Sequence, residues 1–259
     1  ENDVYASSMI NLTIADGNYN LVRYNASYNG TLPSSYDLRD YDLVTPVRNQ
    51  GNFGLCWAFA TASTLETHIM KKNNTTYDPD TTQLISERQL DYATSSNGIK
   101  DYDNEYVSFY ERDIGSGANF YIATVALANG ISVVDYDWKE YDDTDLEQME
   151  LNEVLNYSNS LYEVNGTINV PVFYESAYSS STVENARTQY VNNLKAAIEQ
   201  FGSIVVSTYY TNYCMHRENG TGSVILDANT SCLSTSDGHA MTVIGWDDNY
   251  ILLEYHIHY

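Results

Sequence analysis

The spacing of apolar residues along the chain predicts four helices. In the first helix they recur at intervals of three and four, which places them on one side: Phe59, Ala62, Leu65 and Ile69. A second helix is expected to begin at Ser86, because Ser86 and Gln89 have the S-x-x-Q spacing of a capping box. The predicted helices cover about residues 56–73, 86–94, 118–129 and 184–201.

Runs of β-branched and aromatic residues predict strands, mostly in the second half of the chain. These runs cover residues 167–174, with a break at Pro171, residues 203–210 and residues 239–246. Residues 1–31 are polar and carry turn signals, so they are predicted to form an extended arm. We therefore expect a helical lobe, roughly residues 47–140, facing a β lobe, roughly residues 165–259.

One stretch, which reads RNQGNFGLCWAFA from residue 48 to residue 60, carries candidate chemistry. It places Gln50 six residues before Cys56, the residue that opens the first predicted helix. The free N–H groups at a helix N-terminus favour the thiolate, which is the nucleophilic form of cysteine. The Cys56 N–H and the Gln50 side-chain amide are then expected to donate hydrogen bonds to an oxyanion. The alternative is a buried structural thiol, which would be inert.

Three blocks of the sequence resemble the papain-like cysteine peptidases. The active-site signature of that family is similar to the positions Gln50, Gly54, Cys56, Trp57, Ala58 and Phe59. The segment LPSSYDLRD, from residue 32, resembles the start of the mature domain, and DGHAMTVIGWDD, from residue 237, resembles the stretch with the catalytic histidine. The resemblance extends over roughly residues 32–250.

The resemblance implies an α+β, two-lobed papain-like fold and hydrolysis of peptide bonds through a thioester on Cys56. His239 would act as general base and then as general acid, and no metal or organic cofactor would be needed. The alternative for His239 is a structural histidine with its hydrogen bonds satisfied. The other histidines lack this sequence context and are expected at the surface: His68, His216, His256 and His258.

The resemblance also implies residues that bind the substrate, namely Gly54, Gly117, Ala118 and Ala240. Relatives in the family usually have two glycines where this chain has Gly117 and Ala118. An equally good interpretation is that the glycines before residue 118 only end the preceding loop.

The sequence departs from the family pattern at two further places. The family has an Asn-Ser-Trp motif after the histidine, whose asparagine orients the imidazole, and this motif does not occur in the 259 residues. Asn249 is too close to His239 to replace it, so we expect the β lobe to be incomplete at its C-terminus and the chain to be a fragment or a cleaved product. Phe53 stands where many relatives have a disulfide-forming cysteine.

Two other functions therefore remain open. The first is a catalytically silent papain-fold module for adhesion or surface assembly, and the second is a transpeptidase that uses the same thioester. The expected partners are a protein or peptide substrate and also other surface proteins or a C-terminal continuation of the chain.

The overall charge and hydropathy exclude some classes of function. The formal net charge of −23 opposes binding to nucleic acids or to anionic membranes. No run of 18 apolar residues occurs, so no membrane span is expected. The acidic residues Asp142, Asp143 and Asp145 lack the spacing of a calcium-binding loop and are interpreted as solvated surface, so no metal site is predicted.

The cysteines and the glycosylation motifs indicate a secreted or cell-surface protein. Because Cys56 is assigned to catalysis, Cys214 and Cys232 are left to form a disulfide, or to remain as two reduced thiols. Nine Asn-x-Ser/Thr motifs are candidate glycosylation sites: Asn11, Asn25, Asn29, Asn73, Asn74, Asn156, Asn165, Asn219 and Asn229.

Overall fold

The structure is a computed structural model, and it describes most of the chain. The described residues are 9–13, 20–23, 31–97, 99–100, 111–128, 131–138, 140–142, 144, 149–150, 160–164, 166–170, 173–209, 215–217, 224–226, 238–249 and 255–256.

The helices lie close to the predicted positions. The first is buried on nearly every side, so its polar residues also need partners, and Thr61 and Thr67 donate to the backbone carbonyls of Trp57 and Ser63. The second begins as predicted, because the Ser86 hydroxyl accepts a hydrogen bond from the Gln89 N–H. The helices are α1 (Cys56–Asn73), α2 (Glu87–Ala93), α3 (Phe120–Ala128) and α4 (Val183–Phe201), with 3-10 turns at Leu38–Tyr41, Tyr136–Trp138 and Glu175–Ala177.

The strands form one large sheet and several two-stranded pairs. They are β1 (Met9–Thr13), β2 (Asn20–Arg23), β3 (Ser35–Asp37), β4 (Ile99–Lys100), β5 (Val133–Val134), β6 (Met149–Glu150), β7 (Ser160–Tyr162), β8 (Gly166–Val170), β9 (Ile204–Tyr209), β10 (Met215–Arg217), β11 (Val224–Leu226), β12 (Gly238–Val243), β13 (Gly245–Asp247) and β14 (Tyr255–His256). The six-stranded sheet has the order β14-β12-β9-β1-β8-β2, and the pairs are β10-β11, β13-β3, β4-β6 and β5-β7.

The six-stranded sheet includes strands from the N-terminal segment. Strand β1 is antiparallel to β8 over its whole length and also pairs with β9, whereas β2 runs parallel to β8. Strand β12 is antiparallel to β9 and places His239 opposite Thr208. The stretch that the sequence predicted as an extended arm therefore contributes two strands to the sheet that carries His239.

The strand predicted for residues 239–246 is divided in two. Strand β12 ends at Val243, and β13 begins at Gly245 and pairs with β3 instead of joining the large sheet. The Ile244 carbonyl between them accepts a hydrogen bond from the Leu38 N–H. A Cβ atom on Gly245 would lie 2.2 Å from the Tyr36 carbonyl oxygen, so the close approach of β3 requires glycine there.

Two hydrophobic clusters form most of the described core. The first surrounds the start of α1 and includes Leu55, Trp57, Phe120, Val205 and Ala240. The second packs α4 against the large sheet and includes Leu38, Leu194, Ile198, Ile204 and Trp246. Within the described ranges, no helix has the length and apolar character that crossing a bilayer requires.

Candidate active site

Cys56 lies at the first position of α1 and is a half-buried free thiol, as predicted. The Leu55 carbonyl closes the first turn by accepting hydrogen bonds from the N–H groups of Ala58 and Phe59. The backbone N–H groups of Cys56 and Trp57 favour a negative charge on the sulfur and so act to lower the pKa of the thiol.

His239 is brought to the same place by strand β12. The N–H of the next residue, Ala240, donates to the Cys56 Sγ over 3.4 Å. Two residues further along, the Thr242 hydroxyl donates to the Ala60 carbonyl over 3.2 Å, which attaches β12 to α1 at a second point. The strand and the helix therefore hold the histidine segment against the cysteine.

Burial of the Cys56 and His239 side chains opposes the formation of a thiolate–imidazolium pair. Burial raises the pKa of the Cys56 thiol above its ordinary value, and the backbone N–H groups of Ala240, Trp57 and Cys56 offset this only in part. Burial also lowers the pKa of the His239 imidazole. Each shift therefore favours the neutral form of its group over the charged form.

Gln50 is held in the loop before α1 by two neighbours. Its side-chain Nε2 donates to the Phe53 carbonyl over 2.9 Å, and its own carbonyl accepts the Tyr141 hydroxyl. The Tyr141 ring in turn meets the Phe59 ring edge to face, with 4.9 Å between the ring centres. These contacts orient Gln50 relative to α1, while its role as an oxyanion donor stays a prediction.

The residues predicted to bind substrate lie beside the nucleophile loop. We call residues 115–117 the glycine wall. The Gly54 N–H donates to the Gly115 carbonyl over 2.8 Å, and a Cβ atom on Gly54 would lie 2.6 Å from the Gly117 nitrogen. Gly117 is exposed, whereas Ala118 packs against the first cluster. The wall and the nucleophile loop are thus in direct contact.

A buried charge cluster lies beneath the same loop. Glu66 of α1 accepts hydrogen bonds from the Thr45 hydroxyl, the Ile85 N–H and Arg48 Nη2. The Arg48 Nε also lies 2.9 Å from Glu87 Oε1 on α2, an ion-pair distance whose direction is not that of a hydrogen bond. Arg48 thus connects the segment before Gln50 to two helices.

Several residues near the site carry no signal that the sequence analysis detected. Arg112 and Asp91 form a buried ion pair next to the glycine wall, and Tyr141 contacts Gln50. A single arginine, aspartate or tyrosine in a polar stretch has no distinctive spacing, so only the tertiary contacts identify these residues. His68 was expected at the surface, but it is buried because its Nδ1 pairs with the Phe201 carbonyl over 2.9 Å.

Only some of the other predicted sites fall on described residues. Asn73 and Asn74 are exposed at the end of α1, and Asn11 lies in β1. The Asp142 side chain accepts hydrogen bonds from Thr144, and among the described residues no three His, Cys, Asp or Glu side chains gather as a metal site would require. The predictions outside the described residues concern Asp143, Asp145, Cys214, Cys232, Asn25, Asn29, Asn156, Asn165, Asn219, Asn229 and His258.

Comparisons with known proteins show the family to which the chain is similar. The family model described as papain family cysteine protease matches residues 32–257. Cathepsin K of Mus musculus is 47% identical over 49 residues, which are 19% of this chain and 15% of that protein. Procathepsin L of Mus musculus is 29% identical over 119 residues, 42% of this chain and 36% of that protein.

A solved structure supports the fold. Procathepsin L 3 of the Tenebrio molitor larval midgut matches with a TM-score of 0.57 and 19% sequence identity, over 92% of this chain and 62% of that one. The matched region is less than two thirds of the length of each of these three relatives.

Proposed function

Because the chain belongs to the papain family of cysteine proteases, we propose that it is a cysteine-type endopeptidase with Cys56 as nucleophile and His239 as general base. The observation that carries this proposal is the hydrogen bond from the Ala240 N–H to the Cys56 sulfur. This bond joins the residue after His239 to the sulfur of Cys56 at a helix N-terminus. It therefore supports a histidine close enough to the thiol to activate it.

In the proposed reaction, His239 takes the thiol proton while the sulfur attacks the carbonyl carbon of the scissile peptide bond. The new oxyanion accepts hydrogen bonds from the Cys56 N–H and from Gln50. The Gln50 amide carries two N–H donors, so the bond from Nε2 to the Phe53 carbonyl leaves one of them for this role.

The second half of the reaction returns the enzyme to its starting state. His239 gives its proton to the leaving amine, and a thioester remains on Cys56. A water molecule then loses a proton to His239 and attacks the thioester carbon. The C–S bond breaks, the acid product leaves, and His239 returns the proton to the Cys56 sulfur. The substrate class is a protein or peptide.

The experiment compares the wild-type chain with the variants Cys56→Ala and His239→Ala. A dipeptidyl epoxysuccinate should label Cys56 in the wild type, and peptide mapping by mass spectrometry locates the adduct. We expect each variant to lose at least about a thousandfold in the rate of hydrolysis of an unfolded protein substrate, since neither half of the pair works alone. Labelling at other sites with Cys56 untouched in the folded protein would contradict the proposal.

A catalytically silent module is the second candidate, and one observation favours it. Burial shifts the pKa values of Cys56 and His239 toward their neutral forms, which disfavours a reactive thiolate. A folded wild-type chain whose Cys56 reacts with iodoacetamide no faster than free cysteine would support the silent module. Release of an amide instead of an acid when an amine is added would indicate transpeptidation.

We further propose that the chain is a secreted or cell-surface glycoprotein in which Cys214 and Cys232 form a disulfide. The exposure of Asn73 and Asn74 supports accessible glycosylation motifs. Peptide mapping without reduction should recover the peptides of Cys214 and Cys232 as one linked species, with Cys56 free. Recovery of both as separate alkylated thiols from freshly isolated protein would exclude the disulfide.

A further inference from the structure

A buried guanidinium joins the glycine wall to two helices. Arg112 Nη1 donates to the Asp91 carbonyl over 2.9 Å and to the Thr94 hydroxyl over 3.1 Å, both at the end of α2. Its Nη2 donates to the Ser116 carbonyl over 2.7 Å and to the Asp91 carboxylate. The guanidinium carbon also lies 5.0 Å from the centre of the Trp57 ring on α1. The side chain of Arg112 is 7% exposed, so these contacts are shielded from water.

The carboxylate of Asp91 binds a backbone N–H of the glycine wall, whereas Arg112 binds a backbone carbonyl. Its Oδ2 and Oδ1 accept the Gly115 N–H over 3.0 and 3.2 Å. Arg112 and Asp91 therefore bind one carbonyl and one N–H of consecutive residues in the wall. The Gly115 carbonyl then accepts the Gly54 N–H, two residues before the nucleophile.

The wall has no large side chain of its own that could fix its position. Residues 115–117 are glycine, serine and glycine. Backbone that is to hydrogen-bond an extended peptide must be held to within a fraction of an ångström. A planar guanidinium with several donors is suited to that task, because it binds two partners in fixed directions.

We propose that Asp91 and Arg112 are positioning residues that set the glycine wall for binding the backbone of a peptide substrate. This inference rests on the proposed function, because it concerns the binding face of the same cleft. The pair acts through residues 115–117 and does not touch the reacting atoms.

The test separates binding at the wall from the reactivity of the nucleophile. Two reagents are used on Cys56: a dipeptidyl epoxysuccinate, whose peptide part lies along the cleft, and iodoacetamide, which has no peptide part. The double variant Asp91→Leu/Arg112→Met removes both charges together, because an apolar pair replaces a buried ion pair with little loss of stability in many proteins. The variant Arg112→Lys keeps a cation beside Asp91 but cannot reproduce the fork to Ser116, so it serves if the double variant does not fold.

We expect the second-order rate constant with the peptidyl epoxide to fall roughly tenfold or more in the double variant, as for the loss of one or two backbone hydrogen bonds. The rate with iodoacetamide should stay within about twofold of wild type. The matched control is Lys195→Met, which removes an ion pair with Asp248 beside Trp246 of the second cluster and should change neither rate by more than about twofold.

The ratio of the two rates decides the outcome. A ratio equal to that of the wild type in a folded variant, whether both rates fall or neither does, would overturn the inference. The hydrolysis assay tests the proposed function separately. A wild-type chain that is labelled at Cys56 but hydrolyses no peptide would contradict the proposed function and would still yield the ratio of the two labelling rates.

Discussion

Gly54 makes the closest approach between the nucleophile loop and the glycine wall. A Cβ atom there would lie 2.6 Å from the Gly117 nitrogen and 2.9 Å from its Cα, and these are backbone atoms that cannot rotate away. The hydrogen bond from Gly54 to Gly115 holds the two segments at this separation. Any side chain at residue 54 would therefore push the wall away from Cys56.

The variant Gly54→Ala should lower the free energy of unfolding by about 1–3 kcal/mol, as overpacking of a close contact does. The matched control is Gly117→Ala, because a Cβ on Gly117 would approach just one atom of the described residues, the Gly54 carbonyl oxygen at 4.0 Å. Urea denaturation followed by fluorescence measures both variants. Equal stability of Gly54→Ala and Gly117→Ala would contradict the packing argument.

Single residues with a local signal were predicted well, and those with distant partners were not. Ser86 caps α2 as expected, since its hydroxyl accepts the Gln89 N–H only three residues away. The Gln89 side chain does not return to Ser86, as a full capping box requires, but donates to the Ser132 carbonyl. The Ser86 N–H is already bound to the Val134 carbonyl. Partners 43 and 48 residues away in the sequence therefore replace the second hydrogen bond of the capping box.

Helices α1 and α2 share one arginine between two buried carboxylates. Glu66 accepts hydrogen bonds from the Thr45 hydroxyl, the Ile85 N–H and Arg48. Burial and the nearby charge of Glu66 raise the pKa of Glu87 to about 7, although Arg48 opposes the shift. Glu87 is therefore protonated in the folded protein under mildly acidic conditions.

The raised pKa of Glu87 predicts that stability decreases as the pH rises. In the unfolded chain Glu87 ionises near 4.5, whereas in the folded protein it ionises near 7. The folded state thus binds the extra proton between these values, and this contribution is complete below about pH 4.5 and lost as the pH passes 7. The loss amounts to about 3 kcal/mol.

Urea denaturation at several pH values between 4.5 and 7.5 measures this dependence. The variant Glu87→Gln should flatten it, because the amide does not titrate. Glu184→Gln, at an exposed ion pair with Arg187 on α4, is the control and should leave the dependence unchanged. A Glu87→Gln variant whose stability changes with pH in the same way as that of the wild type would contradict the prediction.

The elements themselves were largely predictable, but their pairing was not. Alternation and β-branched residues indicated a strand at residues 239–246, and β12 and β13 occupy that stretch. The break at Ile244 depends on the Leu38 N–H and on the approach of β3. These partners lie about 200 residues earlier in the sequence. A hydrophobic pattern read over ten residues carries no information about such distant partners.

At the scale of the whole molecule, the site motifs predicted the family, whereas the sequence did not predict the order of strands in the large sheet. The spacing of Gln50 and Cys56, together with the His239 segment, led to the papain family, which the family match confirms. Polar composition indicated only an extended arm for residues 1–31, whereas β1 lies between β8 and β9 inside the large sheet. Strand order depends on contacts across the whole chain, so a local pattern does not determine it.

Helix α1 contributes residues to both hydrophobic clusters, from Leu65 and Trp57 in the first to Met70 in the second. Its side chains meet α2 and α3 on one side and the large sheet on the other. The two lobes consequently share an interior and are not exchangeable modules. In a chimera that joins one lobe of this chain to the opposite lobe of a relative, the side chains of α1 would have to pack against elements from both parent proteins. Successful recombination would therefore keep α1, β9 and β12 from a single parent and place the crossovers in surface loops.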